Sequence, residues 1–136
     1  MVDIPDSPNS QAWLEFADED FGFAVSGLSD PETHFFPQIC FHFQQAAEKY
    51  LKAYIVARKL EFKKIHELPT LLQICQRDNP DFGQLKEECD FLTEFYFESR
   101  YPADLPPSNI TREMAEKAKE ATQRIGAFVK EKLGIK

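Results

Sequence analysis

Apolar side chains return every three or four positions through most of this chain, and the faces they define can be assigned residue by residue. At about 100° per residue, Cys40, Phe43, Ala47, Tyr50, Leu51 and Tyr54 gather on one side, while His42, Gln45, Lys49 and Lys52 gather on the other. That division describes an amphipathic helix with one face for a core and one for polar groups. Upstream, Trp13, Phe16, Ala17, Phe21, Ala24 and Leu28 repeat at the same spacing, and the stripe fades between Gly27 and Pro31. A first helix is therefore predicted from an Asn9 or Ser10 cap onward. Asp30-Pro31 and Phe36-Pro37 mark the connection, because the residue before a proline is driven out of the α region. The second helix is predicted from Pro37 to Arg58 or Lys59, with proline tolerated in the first turn, where its missing N–H has no partner to lose.

Beyond Lys63-Lys64, Leu68, Leu71, Leu72 and Cys75 predict a short helix over Glu67 to Gln76, interrupted at Asn79-Pro80. A second piece, Asp81 to Arg100, places Leu85, Cys89, Leu92, Phe95 and Tyr96 together and stops at Tyr101-Pro102. Pro106-Pro107 bars any helix from crossing Ala103 to Ser108. Met114, Ala118, Ala121, Ile125 and Phe128 restore the rhythm from Thr111 to Leu133, and Gly134 supplies a stop. Glu113 with Lys117 and Glu120 with Arg124 have the spacing of ion pairs on its wet side. Alternation of the strand type is missing throughout. The pattern predicts an all-α fold: an up-and-down antiparallel four-helix bundle with a broken third helix, residues 10–136 forming one domain behind a loose lead-in over 1–9.

The chain has 136 residues, enough for one real core, since a domain of this size buries about two thirds of the surface its unfolded chain exposes. No apolar run approaches the roughly 20 residues of a membrane span, and the acidic, proline-bearing Met1 to Asp6 lacks the basic and apolar regions of a signal peptide. A cytoplasmic location without membrane association is expected. Cys40, Cys75 and Cys89 are an odd, scattered set, which argues for buried reduced thiols rather than disulfides or a Cys-rich metal site. The net charge of -7 disfavours a broad grip on nucleic-acid backbone, so any RNA contact is local and none to DNA is expected.

Within this frame a few residues stand out. Asp20 falls on the wheel between Trp13, Ala17 and Ala24, so its charge needs water, a cation or backbone donors. It is either a structural pair or a site carboxylate. Arg100 at the end of a helix is favoured by the helix dipole, but its planar guanidinium also suits a phosphate held by two parallel hydrogen bonds. His66 and Glu67 stand where a helix start favours a capping or acidic residue. His34, His42 and His66 have no metal-ligand spacing, and neither a metal nor another cofactor is expected. Gln45, Lys49 and Lys52 read as a solvated stripe, with Glu48 and Lys52 an ordinary intrahelical pair. Thirteen phenylalanines are too many for one interior, which predicts some apolar surface covered by a second copy.

The block Phe41-His42-Phe43-Gln44-Gln45-Ala46-Ala47-Glu48-Lys49 with Lys52 resembles the second helix of the HEPN family, prokaryotic helical domains often encoded beside a minimal nucleotidyltransferase. Trp13, Ala17, Asp20 and Phe21 are similar to the family's first helix, His66-Glu67-Leu68 to its His-Asp-Leu motif, and Arg100-Tyr101-Pro102 to its Arg-Tyr-Pro signature. The resemblance implies a homodimer acting with a cognate minimal nucleotidyltransferase in a toxin-antitoxin-like pair. It also implies a nucleotide or phosphate site using Arg100, Tyr101, Asp20, Lys49 and His42. HEPN ribonucleases set a histidine a few residues after such an arginine, and here those positions hold Leu105, Pro106 and Pro107. RNA cleavage needs a group that titrates near neutrality, so the chain is expected to bind without cleaving. The alternative is a metal-independent, toxin-type endoribonuclease built on Arg100.

Overall fold

The computed structural model describes residues 9–97 and 107–135. The lead-in over 1–8, Arg100, Tyr101, Leu105 and Pro106 lie outside them. The described residues form five α-helices in order, α1 (Ser10–Leu28), α2 (Phe36–Ala57), α3 (Leu68–Asp78), α4 (Lys86–Leu92) and α5 (Arg112–Lys132), with 3-10 turns at Pro80–Leu85, Thr93–Phe95 and Pro107–Asn109. The described residues contain no strand.

Local chemistry sets the helix ends. Asn9 Oδ1 accepts from the Ala12 N–H at 2.9 Å and Thr111 Oγ1 from the Met114 N–H at 3.2 Å, each satisfying a donor that the first turn leaves unpaired. Helix α2 stops where Lys59 takes a left-handed φ of 57°, letting the Leu60 N–H reach the Ile55 carbonyl at 2.9 Å. The same closure ends α5, with Gly134 at φ 75° and the Ile135 N–H on the Lys130 carbonyl at 2.8 Å.

Four rods alternate in direction. Helices α1 and α2 run antiparallel, with Trp13 facing Lys52 near one end and Gly27 facing Ile39 near the other. Helix α5 runs antiparallel to α1: an Arg112 Nη donates to the Leu28 carbonyl at 3.0 Å, and Lys130 Nζ reaches Asp18 Oδ1 at 2.9 Å. The stretch 80–95 is the fourth rod and opposes α5, through Lys132 with Asp81, Arg124 with Glu88 and Lys117 over the ring of Phe91.

The broken third element has a specific form. Residues 58–67 travel back along α2, and α3 then follows the direction of α2, with Cys75 Sγ beside the Leu51 carbonyl and Tyr54 Oη on Asp78. At Asn79-Pro80 the chain reverses, Asn79 Oδ1 accepting from the Asp81 N–H at 3.0 Å. The continuous helix expected over Asp81 to Arg100 is not formed: among the described residues of that stretch only Lys86–Leu92 is α-helical, and Tyr96 leaves helical geometry at φ -83° and ψ 89°. Two tertiary contacts account for this. Thr93 Oγ1 accepts from the Leu68 N–H at 3.1 Å, capping α3, and the Tyr96 ring lies flat on His66 with centroids 4.3 Å apart.

Phe43, Leu51, Ile55, Leu71, Phe82, Leu92, Phe95 and Ile125 are fully buried between the rods. Each such side chain contributes about 1.5 to 3 kcal/mol of transfer free energy. The α1 stripe is centred on Leu14, Ala17, Ala24 and Leu28, so Phe16, predicted inside, is about half exposed. On α5, Ala115, Thr122 and Val129 join Ala118, Ala121 and Ile125. No described helix is long and apolar enough to cross a membrane.

Candidate functional site at the α1 and α2 seam

Because α1 and α2 are antiparallel neighbours, Asp20 meets α2 where its polar stripe begins. Asp20 Oδ2 accepts from Lys49 Nζ at 2.6 Å, and Oδ1 lies 3.4 Å from His42 Nδ1. The fold thus brings together three of the five residues expected at a site, Asp20, His42 and Lys49; the other two, Arg100 and Tyr101, lie outside the described residues. All three side chains are partly open, at 19%, 33% and 27% exposure respectively. Lys49 has three donors and Asp20 takes one, so the ammonium keeps capacity for an outside acceptor. Aromatic rings flank the cluster: Lys49 stands over Phe16 at 5.9 Å, and Phe23 meets His42 at 4.7 Å.

The neighbouring part of the stripe is not the solvated face that its sequence suggests. Glu48 and Lys52 are buried, with side chains 5% and 6% exposed, and are joined at 2.8 Å. Both Glu48 oxygens also lie 3.0 Å from His66 Nδ1. Gln44 Nε2 donates to the His66 carbonyl at 3.1 Å, so side chain and backbone of His66 are both held by α2. The Lys52 ammonium sits against Trp13 and Phe62. The cause is the return segment 58–67, whose Leu60, Phe62 and Ile65 pack on the core and roof over this end of α2. Sequence reasoning missed Gln44, Glu48, Lys52 and His66 as one group. Their only local signal is the four-residue spacing of the first three, which a wet stripe shares.

Next to His42 the surface opens into a cleft of about 330 Å³ lined by Pro37, Gln38, Phe41, His42 and Phe97. The Phe41 ring is nearly parallel to Phe97, at 21° and 6.3 Å, and to Tyr96, at 27° and 6.1 Å. A larger groove of about 710 Å³ lies between α1 and α5, walled by Asp18, Phe21, Tyr50, Gly126 and Lys130 among others. There Tyr50 Oη donates to Asp18 Oδ1 at 2.5 Å. Burial first, then this bond, raise the phenol above its ordinary value, so Tyr50 acts as a fixed hydrogen-bond donor.

Burial pushes the thiols of Cys40 and Cys89 up to about 12 and raises that of Cys75 as well, so none offers a thiolate nucleophile. Among the described residues, no group of three or more His, Cys, Asp or Glu is placed to hold a metal ion.

The family model described as HEPN domain matches residues 10–132. Among solved structures, the chain is similar to TT1696 from Thermus thermophilus, with 32% identity, 90% of this chain and 97% of that chain covered, and a TM-score of 0.79. It is also similar to ST0689, an archaeal HEPN homologue, with 26% identity, coverage of 92% and 98%, and a TM-score of 0.75. No curated protein matches it.

Proposed function

We propose, from the premise that this chain belongs to the HEPN family, that it is a nucleotide- or phosphate-binding interaction module rather than a nuclease. The observation that carries this reading is the Asp20, His42 and Lys49 cluster. It has two nitrogen-bearing groups, one carboxylate to orient them, and access from solvent. Arg100 and Tyr101, three and four residues beyond Phe97 in sequence, complete the phosphate site, the guanidinium supplying the bidentate grip. Leu105, Pro106 and Pro107 move no proton, so the bound phosphodiester is held and not cut. The net charge of -7 suits such a local site.

The module acts in the cytoplasm as a homodimer with a cognate minimal nucleotidyltransferase, in a toxin-antitoxin-like pair. Support for a second copy comes from Phe16 and Phe23, about half and two thirds exposed and seven residues apart on α1, with Phe35 close in sequence to the start of α2. Calorimetric titration with nucleoside mono- and triphosphates tests the site: heat lost in Lys49→Ala and Arg100→Ala supports it, and no heat at millimolar ligand refutes it. Sedimentation of the wild type beside Phe16→Ser/Phe23→Ser tests the dimer.

One observation favours the endoribonuclease alternative. Glu48 on His66 Nδ1 fixes the ring so that Nε2 is the atom left to accept a proton. Cleavage of RNA by the pure protein, lost in both His66→Gln and Arg100→Ala, would establish that reading; intact RNA under the same conditions leaves the binding module.

A further inference from the structure

We infer that the cleft beside His42 takes the base of the nucleotide whose phosphate the Asp20, His42 and Lys49 cluster attracts. This deepens the binding reading just given and rests on it. The walls supply the first argument. Phe97, Phe41, Tyr96 and His66 form a run of rings in which each neighbouring pair is within 27° of parallel. A flat heterocycle extends such a run, because offset stacking is the arrangement that ring quadrupoles favour and every base has a face to offer. Phe41, Tyr96 and Phe97 are already half-buried by packing on the bundle, so little side-chain freedom is lost when a ligand joins them.

Size supplies the second. A cleft of about 330 Å³ is at the small end of small-molecule sites and admits one heterocycle with part of its sugar. Neither a helix nor a folded nucleic acid fits. The third is the chemistry of the rim. The Gln38 amide carries both a donor and an acceptor, the combination that reads the edge of a base. His42 is shared: Nδ1 faces Asp20, which leaves the other ring nitrogen for a ligand, and the same residue lines the cleft. Base and phosphate subsites are therefore contiguous. With the chain at -7, the ligand is a single nucleotide or one unpaired nucleotide of a longer chain, gripped by stacking rather than by a backbone-tracking basic groove.

The test compares ligands that share the phosphate and differ in the base. Adenosine 5′-monophosphate, uridine 5′-monophosphate and ribose 5-phosphate are titrated into the full chain by calorimetry, and base-proton shifts are followed by NMR. At least one nucleotide is expected to bind tenfold or more tightly than ribose 5-phosphate, with its base protons shifted upfield by the rings. Phe97→Leu, which keeps apolar volume, removes most of that difference and leaves the ribose 5-phosphate affinity unchanged. Should Phe97→Leu fail to fold, the upfield shift in the wild type decides. Equal binding of nucleotides and ribose 5-phosphate overturns the base site while the phosphate site stands. Binding of none of the three overturns both. Occupation of the cleft by a second copy of the chain, seen as nucleotide affinity unaffected by Phe97→Leu, also overturns it.

Discussion

Lys49 and Lys52 lie three residues apart on α2 and share a face of the wheel, yet one is open to solvent and the other is sealed. The wheel supplies the direction of each side chain; the covering segment comes from residues 58–67, whose path no local pattern encodes. That is why Asp20 was legible as a charge needing a partner, with Lys49 and His42 placed beside it only by the family resemblance, while the sealed group of Glu48, Lys52 and His66 was not legible. Sealing has an energetic consequence, because removing one member of a buried pair leaves the other charge without its counterion. Lys52→Ala is expected to destabilise by about 3 to 5 kcal/mol in urea unfolding. Glu48→Gln/Lys52→Met, which removes both charges at similar volume, should recover most of that loss. A smaller effect appears at Asp78, whose carboxyl is held below the ordinary range first by the Tyr54 hydroxyl and then by Arg58. A depressed folded value means that its stabilisation is complete above the unfolded pKa of about 4 and fades as the pH falls through the lower folded one. Melting curves between pH 2 and 5 should accordingly show a shallower acid decline in Asp78→Asn than in the wild type.

Among the elements, α5 was the most legible. Its cap at Thr111, its rhythm and its glycine stop all act within a few residues, and the helix runs Arg112–Lys132. Its surface pairs were not, since Arg124 bonds Glu88 and Lys117 covers Phe91 instead of each joining its predicted helical neighbour. The stretch beyond Asp81 was misjudged for the same reason: Thr93 and Tyr96 are recruited by α3 and His66, partners more than 20 residues away. Packing between elements also decides what Gly126 is for. A Cβ there would stand 2.8 Å from two atoms of the Tyr50 ring, which is tied at its hydroxyl to Asp18 and cannot swing aside. Alanine brings about 1 kcal/mol of helix propensity, whereas overpacking a fixed ring costs about 1 to 3 kcal/mol. Gly126→Ala should therefore lower the melting temperature, and Gly126→Ala/Tyr50→Leu should restore much of it.

At the scale of the molecule, the all-α class and the alternation of rods follow from periodicity and short connections. The fold-back of α3 against the Pro80–Leu85 turn depends on where the returning chain finds apolar cover. The three thiols report on the integrity of this whole. With Cys40 and Cys89 pushed up to about 12 and all three buried, a thiol reagent at pH 8 should label none of them in the native state and all three in guanidinium. Rapid labelling of the native protein would show that the rods part far more readily than this packing implies.

Arg112 on the Leu28 carbonyl and Lys130 on Asp18 fix α1 and α5 side by side in opposite senses. Asn9 and Ile135 consequently emerge at the same end of the molecule. A short glycine-rich splice between them, with new termini cut at the exposed Lys63-Lys64, should yield a permuted chain that melts cooperatively, since order along the polypeptide is then interchangeable with order in space.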